Sequence, residues 1–195
     1  MRAIRLAILA LSATALATTA CQSEHEPTNH TPLPALAAPP YICDYIPLRA
    51  VELMTGLHSP VARGFFDLSI SDGIGDGSCA VYQRNGKQLK VLLVDLSPSG
   101  FPEEVEENIR LGASPLPEIV PGSIGSYFEP PDSKDNEASA LLVRGKAALS
   151  IRLEVGAEDR DNMADVVALM KLIAPKLITD ASAPSKSPSP APTKG

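Results

Sequence analysis

Three cysteines, Cys21, Cys43 and Cys79, are the side chains of this 195-residue chain best placed for covalent chemistry. Cys21 closes the run Leu16-Ala17-Thr18-Thr19-Ala20-Cys21, small residues ahead of a cysteine, which is the pattern of a lipoprotein-type cleavage site. Thr18 stands three positions before the cysteine, where leucine is preferred. Upstream, Arg2 and Arg5 supply positive charge, and the stretch 6–17 is apolar except for Ser12 and Thr14. Such a run is too short to span roughly 30 Å of hydrocarbon. The reading is a signal peptide over 1–20 that is removed, and a mature chain whose Cys21 carries diacylglyceryl and palmitate-type lipid at the extracytoplasmic face of the cell membrane. Lipidation of Cys21 leaves Cys43 and Cys79 as an even pair in an oxidising compartment, where a disulfide is expected. It would close a segment of about 35 residues, worth roughly 3 to 4 kcal/mol in the loop-entropy model. A metal site or a reactive thiol are the alternatives, although neither cysteine has a second Cys or His at ligand spacing.

The remaining candidates for chemistry are weaker. His58 is the one histidine of the region expected to fold, beside Gly56 and Pro60, and no Gly-x-Ser-x-Gly elbow accompanies it; it reads as a turn residue rather than a base. Asp72, Asp76 and Gly77 suggest a calcium loop only superficially, because the spacing lacks the Asp-x-Asp-x-Asp-Gly order and the closing glutamate. Gly73, Gly75 and Gly77 precede a strand rather than a helix N-terminus, which is the wrong setting for a phosphate cradle. Glu103, Glu104, Glu106 and Glu107 offer carboxylates for glycoside hydrolysis, but they read as one solvated helix face, and the chain has no Trp, four Tyr and four Phe. His25, Glu26 and His30 fall in a polar linker with no preformed metal geometry. No catalytic residue, metal or cofactor is therefore assigned.

Composition narrows the partners. The formal charge is −6, and loss of Arg2 and Arg5 with the leader leaves 15 basic against 23 acidic side chains, about −8. Without a basic stripe, nucleic-acid binding is disfavoured. The acidity reads as solubility outside the cell. Gly and Pro together make 32 residues, placed mostly in linkers and turns.

The elements that must position these residues follow from periodicity. Residues 21–40 are the lipidated cysteine and an unfolded Ser/Thr/Asn/Pro tether, 41–180 the globular domain, and 181–195 a disordered Ser/Pro/Ala tail. Helices are expected over 45–55, with Asp44 as an acidic cap, over 102–112, with Val105 and Ile109 as its apolar side, and over 161–177, whose stripe is Met163, Val166, Val167, Met170, Ile173 and Leu177. Strands are expected over 65–70, 79–84, 88–97, 124–128, 140–143 and 147–155, with a hairpin at Asn85-Gly86 and the strand 88–97 covered on both faces. The order α-βββ-α-βββ-α gives an α+β fold on a largely antiparallel sheet of about six strands. The two three-strand groups hint at a duplication of topology, without a residue-level repeat.

Cys43-Asp44 ahead of a short helix bearing Val51-Glu52-Leu53 and Gly56, then Cys79-Ala80-Val81-Tyr82 after a Gly-rich loop, all behind a lipobox and tether, resembles a family of small two-cysteine lipoproteins of unknown function from high-GC Gram-positive bacteria. An aromatic often follows that family's second cysteine by two residues; here Tyr82 follows by three. The resemblance implies a lipid-anchored α+β domain and no established reaction. The expected function is non-enzymatic binding of an envelope protein or cell-wall component, the alternative being a carrier or sensor of a small apolar ligand held between sheet and helices.

Overall fold

The computed structural model describes residues 31–130, 133 and 135–183. Cys21, the leader and the tail from 184 onward lie outside the described residues. Over the described residues the fold is α+β, with three α-helices, a seven-stranded antiparallel sheet and a separate two-stranded ribbon. The elements run β1 (Tyr41–Ile42), β2 (Ile46–Pro47), α1 (Leu48–Thr55), β3 (Val61–Asp67), β4 (Asp76–Tyr82), β5 (Lys90–Ser97), α2 (Pro102–Arg110), β6 (Ser114–Pro115), β7 (Ile124–Phe128), β8 (Ala138–Arg144), β9 (Ala147–Leu153) and α3 (Asn162–Leu177).

The large sheet has the order β3-β4-β5-β9-β8-β7-β6, two antiparallel meanders joined where β5 pairs with β9. Its register sorts side chains into two faces, because successive residues of a strand point to opposite sides. Leu92, Val94 and Leu96 stand opposite Leu153, Ile151 and Leu149, which stand opposite Ala138, Ala140 and Leu142. All nine are buried, and the fully buried Val166, Leu169, Met170, Ile173 and Leu177 of α3 and Val51 and Met54 of α1 join them in one core. Each of the Leu, Ile, Val and Met side chains so removed from water contributes roughly 1.5 to 3 kcal/mol.

Local rules explain the helix ends. Asp161 caps α3 by accepting from the Ala164 N–H at 2.8 Å, and Lys176 in the last turn complements the dipole. Pro102 begins α2, with Glu103 and Glu104 in its first turn and Arg110 in its last. Gly56 ends α1 in the left-handed region at φ 68°, where a side chain would be strained. Gly77 allows β3 and β4 to approach: a Cβ there would lie 2.3 Å from the Phe65 carbonyl oxygen.

Several expectations are corrected. The helix expected over 45–55 begins at Leu48, because the residues before it form the β1–β2 ribbon; Cys43 and Asp44 take φ 46° and 68° in its turn, so Asp44 caps nothing. The main sheet has seven strands rather than six, since the Pro-rich stretch after α2 contributes Ser114 and Pro115 as an edge pair to β7. The strand expected over 65–70 runs earlier, Val61–Asp67, and leaves Ile70 exposed. Ile109 is 38% exposed, so Val105 alone anchors α2 as a buried residue. The hairpin expected at Asn85-Gly86 does form, between β4 and β5, but through a connection wider than two residues, in which Asn85 Oδ1 accepts from the N–H groups of Lys87 and Gln88. On β5, a bulge opposite Val81 and Tyr82 brings Val91 into the core beside Leu92, while Leu93, Asp95 and Ser97 are only half-buried; the strand is not fully covered on its second face.

The packed unit also reaches past both expected ends. Leu33 is 8% exposed and belongs to the core, and the Tyr41 hydroxyl donates to the Ala37 carbonyl at 2.9 Å. At the other end Ser182 is buried, and Arg144 donates to the carbonyls of Pro121 and Thr179, each at 2.8 Å. A single leucine in a polar, Pro-rich stretch has no periodicity to announce it, which is why composition alone reads this segment as tether. Among the described residues no helix is long and apolar enough to cross a membrane.

Candidate functional site

Cys43 and Cys79 form a disulfide with a Cα–Cα distance of 6.0 Å and a sequence separation of 36. The bond ties the β1–β2 turn to the buried side of β4, where Cys79 is 0% exposed. The other residues with chemical interest stay apart. His58 is exposed in the turn after α1. Asp72 is exposed in a short 3-10 turn at Ser71–Gly73, and Asp76 is exposed at the start of β4. Glu103, Glu104, Glu106 and Glu107 are exposed on α2, where Glu107 is engaged by Arg110 Nε at 2.8 Å.

What the chain does assemble lies on the second face of the sheet. Helices α1 and α3 share the core on the first face, whereas α2 packs on the opposite side over β7 and β8. It does not extend across β9, β5 and β4. The uncovered strip is polar: Ser150 stands between Leu141 of β8 and Asp95 of β5, and Asp95 stands opposite Ser78 of β4. One step along the strands, Arg152 stands between Ser139 and Leu93.

The step from α2 down to this strip forms a groove of about 390 Å³, lined by Glu104 and Asn108 of α2, by Ser139, Leu141, Ser150 and Arg152 of the sheet over the buried Ser126, and by Phe128. A second recess of about 300 Å³ adjoins it, sharing Asn108 and Phe128 and adding Leu111 and Ala113. Leu111 is 71% exposed and Phe128 41%.

Two electrostatic features mark the groove. Ser126 is 1% exposed, and its hydroxyl has no hydrogen-bond partner among the described residues. Beyond Ser150, burial raises the Asp95 carboxyl above the usual aspartate range; the Asp76 charge raises it further, and Arg152 opposes the shift.

None of the groove residues except Glu104 carries a motif that sequence spacing could flag. The available signal was the outward set on the last hairpin, Ser150, Arg152 and Glu154, but outward polarity is also what a solvated strand shows. Only strand pairing places Ser126 of β7 in the same groove as Arg152 of β9. No protein-family model matches the chain, and no curated protein gives a significant match.

Proposed function

We propose that the chain is a membrane-anchored extracytoplasmic lipoprotein that binds an envelope protein or a cell-wall component and catalyses no reaction. The observation that carries the binding reading is the groove beneath α2, which polar side chains from one helix and three strands line together, over a buried hydroxyl that has no partner among the described residues. Convergent polar groups in a preformed cleft are the usual form of a binding site. The anchoring part rests on the sequence: Arg2 and Arg5, the apolar run and Cys21, together with the resemblance to small two-cysteine lipoproteins. The Cys43–Cys79 bond is consistent with an oxidising compartment. Two acyl chains on Cys21 would hold the protein at the membrane, since each buried CH₂ adds roughly 0.8 kcal/mol.

The test is direct. Cys21→Ala is expected to leave the protein unprocessed or released from the membrane, and a variant processed and retained like the parent would sink the anchor. Cross-linking in the native envelope, followed by identification of the captured species, tests the binding role.

A second reading, a carrier of a small apolar ligand, is favoured by the recess beside Leu111 and Phe128. That recess opens at the end of α2 and not between the sheet and α3, so it would take only the apolar end of a ligand. Loss of fatty-acid-probe binding in Leu111→Ser separates it from the first reading.

A further inference from the structure

We propose that the groove beneath α2 binds a neutral saccharide. This deepens the binding reading above and rests on it. Just under the floor lies Ser126, whose hydroxyl lacks a partner among the described residues and is closed to solvent, so a ligand pairs with it only by displacing the side chains above it. An unpaired buried hydroxyl costs roughly 1 to 3 kcal/mol, and a ligand that hydrogen-bonds to it recovers that cost. Ser150 adds a second hydroxyl, Asn108 an amide, Glu104 a carboxylate and Arg152 a guanidinium, all lining the same volume of about 390 Å³. This is a mixed set: hydroxyl and amide both donate and accept, the carboxylate accepts, the guanidinium donates. A sugar hydroxyl does both at one atom, so adjacent hydroxyls can meet every member of the set.

Charge selects against the alternatives. Among the described residues the charged lining is Glu104 and Arg152, of opposite sign, so no net cationic field favours phosphate or carboxylate ligands. The polar part of the floor disfavours a purely apolar molecule, because such a ligand would cover Ser139, Ser150 and Arg152 without pairing them. Phe128 supplies the remaining element, an aromatic side chain 41% exposed at the end of the groove. The negative face of an aromatic ring attracts the polarised C–H face of a pyranose. The volume falls within the roughly 300 to 1,000 Å³ of ligand clefts.

The experiment is titration of the full-length chain in detergent with cellobiose, maltose and diacetylchitobiose, followed by amide NMR shifts, with inorganic phosphate and dodecanoate as comparison probes. Saturable shifts at Asn108, Ser126, Ser150 and Arg152 with at least one disaccharide are expected, and neither comparison probe should compete. Ser126→Ala should weaken that binding at least about tenfold, while its urea midpoint stays level or rises because the deleted hydroxyl was unpaired. Arg152→Gln, at an exposed position, should weaken it without any change in folding and keeps the test decisive should Ser126→Ala fail to fold. Absence of saturable shifts with all three sugars, tighter binding of phosphate or dodecanoate in the groove, or full affinity in both variants would each overturn the assignment. Envelope cross-linking that captures a partner elsewhere on the surface would leave the general binding role standing while this inference fell.

Discussion

Arg160 and Asp165 meet as a fork, Nε to Oδ2 and Nη2 to Oδ1 both at 2.7 Å, with their side chains only 4% and 7% exposed. The hydrogen bonds to Asp165 raise the Arg160 pKa still further, against the opposing effect of burial. From the same guanidinium, Nη1 donates to the Thr31 carbonyl at 3.0 Å, so the pair joins the first turn of α3 to the segment that precedes the domain by sequence. Removing one partner strands a buried charge, which costs roughly 3 to 5 kcal/mol. Arg160→Met is expected to lose that much in urea denaturation, and Arg160→Met with Asp165→Leu to regain much of it. A double-variant loss equal to the sum of the losses in Arg160→Met and Asp165→Leu would show that the pair is not coupled.

Leu33 tests where the domain begins. Its side chain is 8% exposed and lies in the core, so Leu33→Ala should cost roughly 2 kcal/mol, near the low end for leucine truncations because the site lies at the edge. Leu36, 81% exposed three residues on, serves as the control, and Leu36→Ala should leave the midpoint unchanged. Matching midpoints for both variants would return 31–40 to the tether.

The Cys43–Cys79 bond should be present in protein isolated without reductant and absent after reduction, which intact mass with and without alkylation reads directly. Closing a loop of this length is worth roughly 3 to 4 kcal/mol, so the reduced form should unfold at distinctly lower denaturant. Free thiols at Cys43 and Cys79 in protein isolated without reductant would contradict the pairing.

Asp95 predicts a pH dependence. Its folded-state pKa lies above the ordinary value of 3.8, chiefly through burial, so the folded protein holds that proton more tightly than the unfolded chain does. Its effect is therefore most favourable below the unfolded pKa and is lost as pH rises through the folded value. Asp95→Asn should raise the melting temperature at neutral pH and leave it nearly unchanged in acid. A fall at neutral pH would mean that attraction to Arg152 outweighs burial.

Much of the fold was legible from one dimension. The stripe Val166, Met170, Ile173 and Leu177 and the alternation Leu149, Ile151 and Leu153 are local consequences of periods near 3.6 and 2, and each element lies close to where those periods put it. The stretch 124–128 matches β7 to the residue. What escaped were features without a period: the two-residue strands β1, β2 and β6, the bulge that turned Val91 inward, and the entry of Leu33 into the core. A two-residue strand carries no repeat to detect, and it exists only because a partner strand is already in place.

The sequence by itself determined the class of the fold, its three helices and the one cysteine pair left once Cys21 is set aside, because helix stripes, strand alternation and cysteine parity are written locally. Tertiary structure alone decided the groove. Ser126, Asn108, Ser150 and Arg152 are dispersed over more than forty residues of unremarkable polar sequence, and each would be at home on any solvated surface. They become one site because β7, β8 and β9 pair in a single register, and because α2 covers β7 and β8 but stops short of β9. Hydrogen bonds between strands distant in sequence set that register, and no pattern within any one strand encodes it.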